Sequence, residues 1–279
     1  MSDPDFARRR EAFLTALGSR PLVMGVLNVT PDSFSDGGRF NAPASARVRA
    51  AELVGEGADV IDIGAESTRP GFRPLTEAEE WDRLAGTLPE IAGAAGDVAL
   101  SIDTTKAGIA RRAVAAGCVI VNDQWGLQGD PAMADTVAET GAVLVAMHNR
   151  TGVDEARDML SELRRFFDET LRRADSAGIP RSRLVLDPGV GFGKTPRQNL
   201  EAIAVMPQLG DYGVPWLAGL SRKSFLLQFA EAPPAGRLFA TLGAHLAAVA
   251  CGAAIVRVHD VRAHREALAA FSGVMGARR

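Results

Sequence analysis

Four side chains of this 279-residue chain could build a deep polar cup: Asp103, Asn122 and Asp187, with Lys223 nearby. Each stands at or near the end of a short apolar run, and a carboxylate or amide carried into the interior must find hydrogen-bond partners. A flat ligand presenting several N–H groups in one plane, such as a 2-amino-4-oxo heterocycle, would satisfy Asp187 and Asn122 together. A second set, Arg257, His259, Arg69 and Asn28, has the makings of an anion cradle. Arginine meets phosphate oxygens in pairs, and two or more such groups suit a diphosphate. Neither set contains a Ser–His–Asp arrangement or a thiol with a sequence-adjacent base, so no covalent nucleophile is indicated. "SRKSF", residues 221–225, offers a further contact: a helix beginning near Ser224 would present free N–H groups, its dipole and a hydroxyl to a carboxylate. "GFGK", 191–194, lacks the spacing of a phosphate loop and is assigned no nucleotide role.

Positioning such residues needs a scaffold, and the chain is periodic enough to name one. Short β-rich apolar runs recur at 22–29, 59–65, 99–104, 119–123, 142–148, 184–187, 216–221 and 254–259. Between them lie segments of helical spacing, such as "ASARVRAAELVGEG", "TEAEEWDRLAGTLPEIAGAAG", "KAGIARRAVAAG" and "DMLSELRRFFDETLRRADSAG", several closing on Gly. Strands alternating with helices imply parallel pairing and right-handed crossovers. Eight such units predict an α/β fold, a single-domain (β/α)8 TIM barrel over residues 21–279, preceded by a short N-terminal helical extension at 1–20. The competing topology is an open doubly wound sheet. Every run ends in polar chemistry, and the active sites of parallel barrels lie at that carboxyl end of the strands. The first run-off, "LNVTPDSFSDGG" (27–38), is longer and more polar than a turn requires, which suits a substrate-holding lid.

Bulk properties narrow the classes. A hydrophobic content of 47% with 23% charged residues fits a globular protein with a full core. The formal charge of −3 supplies no field to recruit nucleic acid or an anionic membrane. The longest apolar run, 246–256, is too short to span a bilayer, which takes roughly 18 residues or more. The N-terminal stretch reads as a surface helix and not as a signal peptide. Cys118 and Cys251 have neither metal-ligand spacing nor a disulfide framework, so a cytoplasmic location is expected.

Plainer readings stand beside the chemical ones. Asp32 and Ser33 suit a turn or cap, and Asp103 before Thr104 serves equally as an N-cap. His245 and His264 fall within helical patterns and read as structural or solvated. His259 alternates with Val258 in step with Arg257, which places both either on the barrel's inner face or on a solvated edge. Arg8–Arg10 and Arg278–Arg279 read as solvated termini. Trp125 and Phe192 are core aromatics near the mouth or stacking partners of a flat ligand.

Taken in order, "GVLNVTPDSFSDGG", "ADVIDIGAESTRPG", "SIDTTK", "VND", "LDPGVGFGK", "SRKSF" and "RVHDV" resemble the dihydropteroate synthase family from about residue 21 to 261. The resemblance implies a barrel enzyme of folate biosynthesis, a transferase. It would condense 6-hydroxymethyl-7,8-dihydropterin pyrophosphate with 4-aminobenzoate to 7,8-dihydropteroate and pyrophosphate. It further implies pterin binding by Asp103, Asn122, Asp187, Lys223 and Phe192, and pyrophosphate binding by Asn28, Arg69, Arg257 and His259. Asn28 would also reach Mg²⁺. Phe34, Thr68, Pro70 and Ser224 would form the aminobenzoate pocket, and Asn28, Asp36, Lys223, Arg257 and His259 would carry the catalysis. Members of the family are usually homodimers through the later helices, and the apolar run 246–256 is compatible with that.

The family is thought to react by departure of the leaving group first, with Mg²⁺, Arg257 and His259 stabilising the pyrophosphate and the electron-rich dihydropterin carrying the methylene cation. On this reading Arg257→Ala should lower turnover strongly and leave the fold intact. Two positions depart from the family pattern: Trp125 in "NDQWGLQGDPAM" stands where a valine–serine–glycine run is usual, and Asn149 follows the histidine of "MHNR" where methionine is usual. The alternatives are a pterin-binding methyltransferase-type barrel, which needs neither a pyrophosphate cradle nor "SRKSF", and a non-catalytic pterin-binding barrel. The ordinary residues around Phe34 and Thr68–Pro70 imply sensitivity to sulfonamides.

Overall fold

A computed structural model describes residues 4–30, 42–66 and 73–277. Its central feature is a closed barrel of eight parallel strands in sequential order. The strands are β1 (Leu22–Asn28), β2 (Val60–Gly64), β3 (Ala99–Asp103), β4 (Ile120–Asp123), β5 (Val143–Met147), β6 (Leu184–Asp187), β7 (Trp216–Ala218) and β8 (Ala253–Val258). The open doubly wound alternative is thereby excluded, since β1 pairs with both β2 and β8.

Ten α-helices accompany them among the described residues. They are α1 (Pro4–Leu17), α2 (Ala42–Gly55), α3 (Glu77–Leu84), α4 (Leu88–Ala95), α5 (Ala107–Ala115), α6 (Met133–Thr140), α7 (Met159–Ser176), α8 (Pro196–Ala204), α9 (Leu238–Ala250) and α10 (Val261–Gly276). The single helical run expected over "TEAEEWDRLAGTLPEIAGAAG" is two helices. Thr76 and Glu79 close a capping box at the start of α3, and Pro89 at the start of α4 has no N–H to continue a preceding helix.

Helix α1 lies across the amino ends of the strands, burying Phe6, Phe13 and Leu17. Arg8 bonds Asp97 ahead of β3, and Arg10 Nη1 donates to the Gly141 carbonyl ahead of β5 at 2.9 Å. Arg10 is therefore docked, where a solvated terminus was expected. The run 246–256 divides between the end of α9 and the start of the largely buried strand β8.

Strand register determines which side chains meet at the opposite, carboxyl end. Asn28 pairs with Gly64, Gly64 with Asp103, and Asp103 with Asn122. One step back, Val26 pairs with Asp62 and Asp62 with Ser101. On the far side Met147 pairs with Asp187. The polar residues that end separate runs of sequence thus form one rim.

Candidate active site

Arg257 is the centre of this rim. It leaves β8 in register with Met24, and its long side chain runs inside the barrel. Nε donates to Asp62 Oδ2 at 2.6 Å and Nη2 to Asp103 Oδ2 at 2.7 Å. Both carboxylates draw its pKa upward against the burial that opposes charge. Nη1 makes no hydrogen bond among the described residues and is available to a ligand. Asp62, wholly buried in β2, also accepts from Asn122 Nδ2 at 3.1 Å. One N–H of the Asn122 amide is therefore committed to Asp62, and its carbonyl oxygen is left as an acceptor.

Asp103 uses both oxygens, Oδ1 for Gln124 Nε2 at 2.7 Å and Oδ2 for Arg257. The N-cap reading of Asp103 does not hold: α5 is preceded by Lys106, whose N–H bonds the Thr104 hydroxyl. Burial pushes the Asp103 carboxyl up to about 6, with Arg257 working the other way. Across the mouth, Asp187 is buried and its pKa is raised by burial, with the Lys223 ammonium opposing. Its Oδ1 accepts the Gly189 N–H at 2.7 Å. Lys223 is pulled down to about 8 by burial, held up in part by Asp187. Its Nζ lies 4.7 Å from the centroid of Phe192 and donates to the Val190 carbonyl.

Two glycines show how closely these groups approach one another. A methyl group on Gly219 would sit 3.7 Å from Asp187 Oδ2, 3.8 Å from Lys223 Nζ and 3.9 Å from Arg257 Cβ. One on Gly64 would sit 3.5 Å from Asn28 Oδ1 and 3.6 Å from Asp103 Oδ2. Asn28, Asp103, Asn122, Asp187, Lys223, Phe192 and Arg257 therefore share one mouth. His259 lies just past β8. Its Nδ1 is 2.9 Å from Ser221 Oγ, which also accepts the His259 backbone N–H. Burial, with Arg222 and Arg257 nearby, pushes this imidazole down to about 4, so it is neutral at pH 7.

Ser224 is exposed and does begin a helical segment, but that segment is a five-residue 3-10 turn, Ser224–Gln228, and not an α-helix. Pro233 and Pro234 interrupt the chain before α9 starts at Leu238, so any macrodipole at Ser224 is short. Phe34, Asp36, Thr68, Arg69 and Pro70 lie outside the described residues, as does the stretch 31–38 of the long first loop.

His245 and His264 are structural and not solvated: their rings bond one another at 3.0 Å, and His245 Nε2 faces the Ala218 carbonyl. Trp125 packs on the backbone of its own loop at Gly129, and its backbone N–H, like that of Leu127, donates to the Asp123 carboxylate, which builds that loop. Asn149 turns its amide oxygen to the neighbouring Arg150 N–H.

Asp62 is the residue that the sequence reading missed. An aspartate in mid-strand between Ile61 and Ile63 is costly unless a cation meets it, and Arg257 is the arginine within β8. That pairing was the available signal. It also corrects the expectation for Arg257→Ala, because removing the guanidinium strands the Asp62 and Asp103 carboxylates in the interior, so fold stability must fall along with turnover.

Comparison with known proteins identifies the family of this barrel. Residues 24–259 match a family model described as "Pterin binding enzyme". The chain is 42% identical over 246 residues to the dihydropteroate synthase of Bacillus subtilis, covering 87% of this chain and 85% of that protein. It is 38% identical over 266 residues to that of Escherichia coli K12, covering 93% and 94%. Among solved structures, dihydropteroate synthase from Clostridium difficile in the presence of pteroic acid superposes with a TM-score of 0.89 at 40% identity, over 92% of this chain and 97% of that one. The Xanthomonas albilineans enzyme with 4-aminobenzoic acid gives 0.88 at 40% identity, over 92% and 94%. The Yersinia pestis enzyme in a sulfonamide drug complex gives 0.85 at 38% identity, over 92% and 95%.

Proposed function

Since the chain belongs to the dihydropteroate synthases of the pterin-binding enzyme family, we propose that its mouth residues divide between the two substrates of that reaction. The enzyme is a transferase of folate biosynthesis, condensing 6-hydroxymethyl-7,8-dihydropterin pyrophosphate with 4-aminobenzoate to 7,8-dihydropteroate and pyrophosphate. The rival readings, a methyltransferase-type barrel and a non-catalytic barrel, are set aside with that membership.

The observation supporting the division is the convergence of Asp187 Oδ2, Lys223 Nζ and Arg257 on the space in front of Gly219. Asp187 and the Asn122 carbonyl would accept from the amino-pyrimidine edge of the pterin, and Lys223 would donate to it, with Phe192 beside the ring. Asp103 would accept with its remaining lone pairs. Arg257 Nη1 would meet the diphosphate. Asp62 and Asp103 hold its guanidinium in place beforehand, so charge developing on the leaving group meets a donor that need not reorganise. Neutral His259 would offer a ring N–H to the same group, with Asn28 and Arg69 beside it. Asp36, the remaining catalytic assignment, belongs to the first loop. The aniline nitrogen of 4-aminobenzoate would attack from the side of Phe34, Thr68 and Pro70, with its carboxylate at the exposed Ser224.

Magnesium is part of this proposal. Among the described residues no group of three or more His, Cys, Asp or Glu could enclose a metal. The available donor is the Asn28 amide oxygen, a hard ligand at the end of β1. That suits an ion held chiefly by diphosphate oxygens and water, as Mg²⁺ often is. When bound it would supply positive charge beside the leaving group. A homodimer is proposed as well, supported by α9, an apolar helix that leaves Phe239 84% exposed. So is a cytoplasmic location, supported by two free cysteines. No described helix is long and apolar enough to cross a membrane.

The test mixes purified protein, Mg²⁺, the pterin pyrophosphate and 4-aminobenzoate and follows pyrophosphate. Release that requires the amine, and that collapses in Asp187→Asn, is expected. Full release by Asp187→Asn would overturn the division of residues.

A further inference from the structure

Lys194, the last residue of "GFGK", is 7% exposed. Its ammonium meets three acceptors: His148 Nδ1 at 2.7 Å, the Gly189 carbonyl at 2.8 Å and the Phe192 carbonyl at 3.2 Å. With the ring N–H of His148 on Nε2, toward Glu162, Nδ1 is an acceptor, and an ammonium has the three N–H groups these contacts take where a neutral amine has two. Burial works against the charged form, dragging the pKa down to about 7, with the Asp187 carboxylate holding it up. His148 is wholly buried and burial keeps its ring neutral, so Nδ1 can accept while Nε2 faces Glu162 at 3.4 Å. Arg157 and Arg165 anchor Glu162 from the surface.

The two carbonyls that Lys194 grips belong to the loop shaping the cup. The Gly189 N–H donates to Asp187 Oδ1, so this one residue is held by Asp187 at its nitrogen and by Lys194 at its oxygen. Gly189 has φ +66°, and a methyl group there would lie 1.8 Å from the His148 carbonyl oxygen, so no other residue could take its place. The Phe192 carbonyl is the other anchor, and the Phe192 ring lies against Lys223.

We propose that Lys194 is a positioning residue for the pterin cup. Its ammonium fixes the peptides of Gly189 and Phe192, and through them the Asp187 carboxylate and the Phe192 ring, without touching the ligand. This rests on the reading of Asp187 as a pterin ligand. A lysine that merely stabilised the barrel would lower the melting temperature when removed and would not separate the two substrates.

The test uses the full chain with Lys194→Met, Lys194→Gln and Asp187→Asn. Affinity for 6-hydroxymethylpterin is measured by calorimetry, and KM is measured for each substrate. Lys194→Met should weaken pterin binding and raise KM for the pterin pyrophosphate by about tenfold, the loss of a buried charged hydrogen bond. KM for 4-aminobenzoate should not move. Lys194→Gln, with two N–H groups, should fall between, and it carries the same criterion if the Met variant does not fold. Unchanged pterin affinity in a folded Lys194 variant, with Asp187→Asn losing it, overturns the positioning role alone. Equal rises in both KM values overturn it too. Unchanged affinity in Asp187→Asn overturns the cup reading and the proposal together.

Discussion

Asp62 on β2 accepts a 2.6 Å hydrogen bond from Arg257 on β8, across 195 residues of sequence and the interior of the barrel. With Asp103 on the other prong, the guanidinium is clamped between two carboxylates. A clamped arginine presents its remaining N–H edge in one orientation, whereas a solvated one would have to be ordered during the reaction.

Asp62→Ala should therefore lower both stability and turnover. Breaking a buried pair from one side costs about 3–5 kcal/mol, read as a lower denaturation midpoint. Arg257→Lys keeps the charge but cannot bridge both carboxylates while facing the diphosphate. Its kcat should fall by about 10²-fold or more, the scale of losing one transition-state donor. Unchanged kcat in a folded Arg257→Lys protein would remove Arg257 from the leaving-group site.

Legibility from sequence followed distance along the chain. The strand runs were readable because apolar β-rich stretches and the polar residues that end them are local features, so Asn28, Asp103, Asn122 and Asp187 could be named without a structure. Asp62 left only the signal of a charge inside one apolar strand and an arginine inside another, and its role could not be named, because the two meet only when β8 closes against β1. Nor could the helix break at residues 85–87 or the 3-10 turn at Ser224, where helical patterning continued through segments whose proline positions decide the geometry. Lys194 ends "GFGK", yet its part is not legible there, because its three partners come from two loops whose shape a motif does not specify.

Asp103 titration should act in opposite senses on stability and activity. Its carboxyl is pushed up to about 6 by burial, against about 4 in an unfolded chain. Between those values the folded protein retains a proton that the unfolded chain has lost. The stability this group contributes is therefore full below the lower value and is lost as pH rises through the upper one. On the proposed division of the mouth, the Asp103 carboxylate holds Arg257 and would accept from the pterin, so kcat/KM for the pterin pyrophosphate should show an acid limb near pH 6. Asp103→Asn should abolish that limb and lower the plateau. An identical limb in the variant would assign it elsewhere.

Gly189→Ala addresses backbone geometry directly. The added methyl would face the His148 carbonyl oxygen at 1.8 Å, and neither atom belongs to a flexible side chain. A cost above about 4 kcal/mol, the exceptional end of single substitutions, is expected as a collapse of soluble yield or melting temperature. A normally stable variant would mean that the loop after β6 is shaped differently.

Sulfonamide response follows from the same mouth. A sulfonamide carries an aniline ring with a polar group where 4-aminobenzoate carries its carboxylate, so it fits a pocket that recognises ring and polar end together. The family resemblance implies that Phe34 and Thr68–Pro70 are those of a sensitive enzyme, and a structural relative from Yersinia pestis has been solved with such a drug. Initial-rate measurements should show inhibition that rising 4-aminobenzoate relieves and rising pterin pyrophosphate does not. Turnover that continues unaffected at high sulfonamide would mean that the pocket beside Ser224 is closed to the drug by residues other than these.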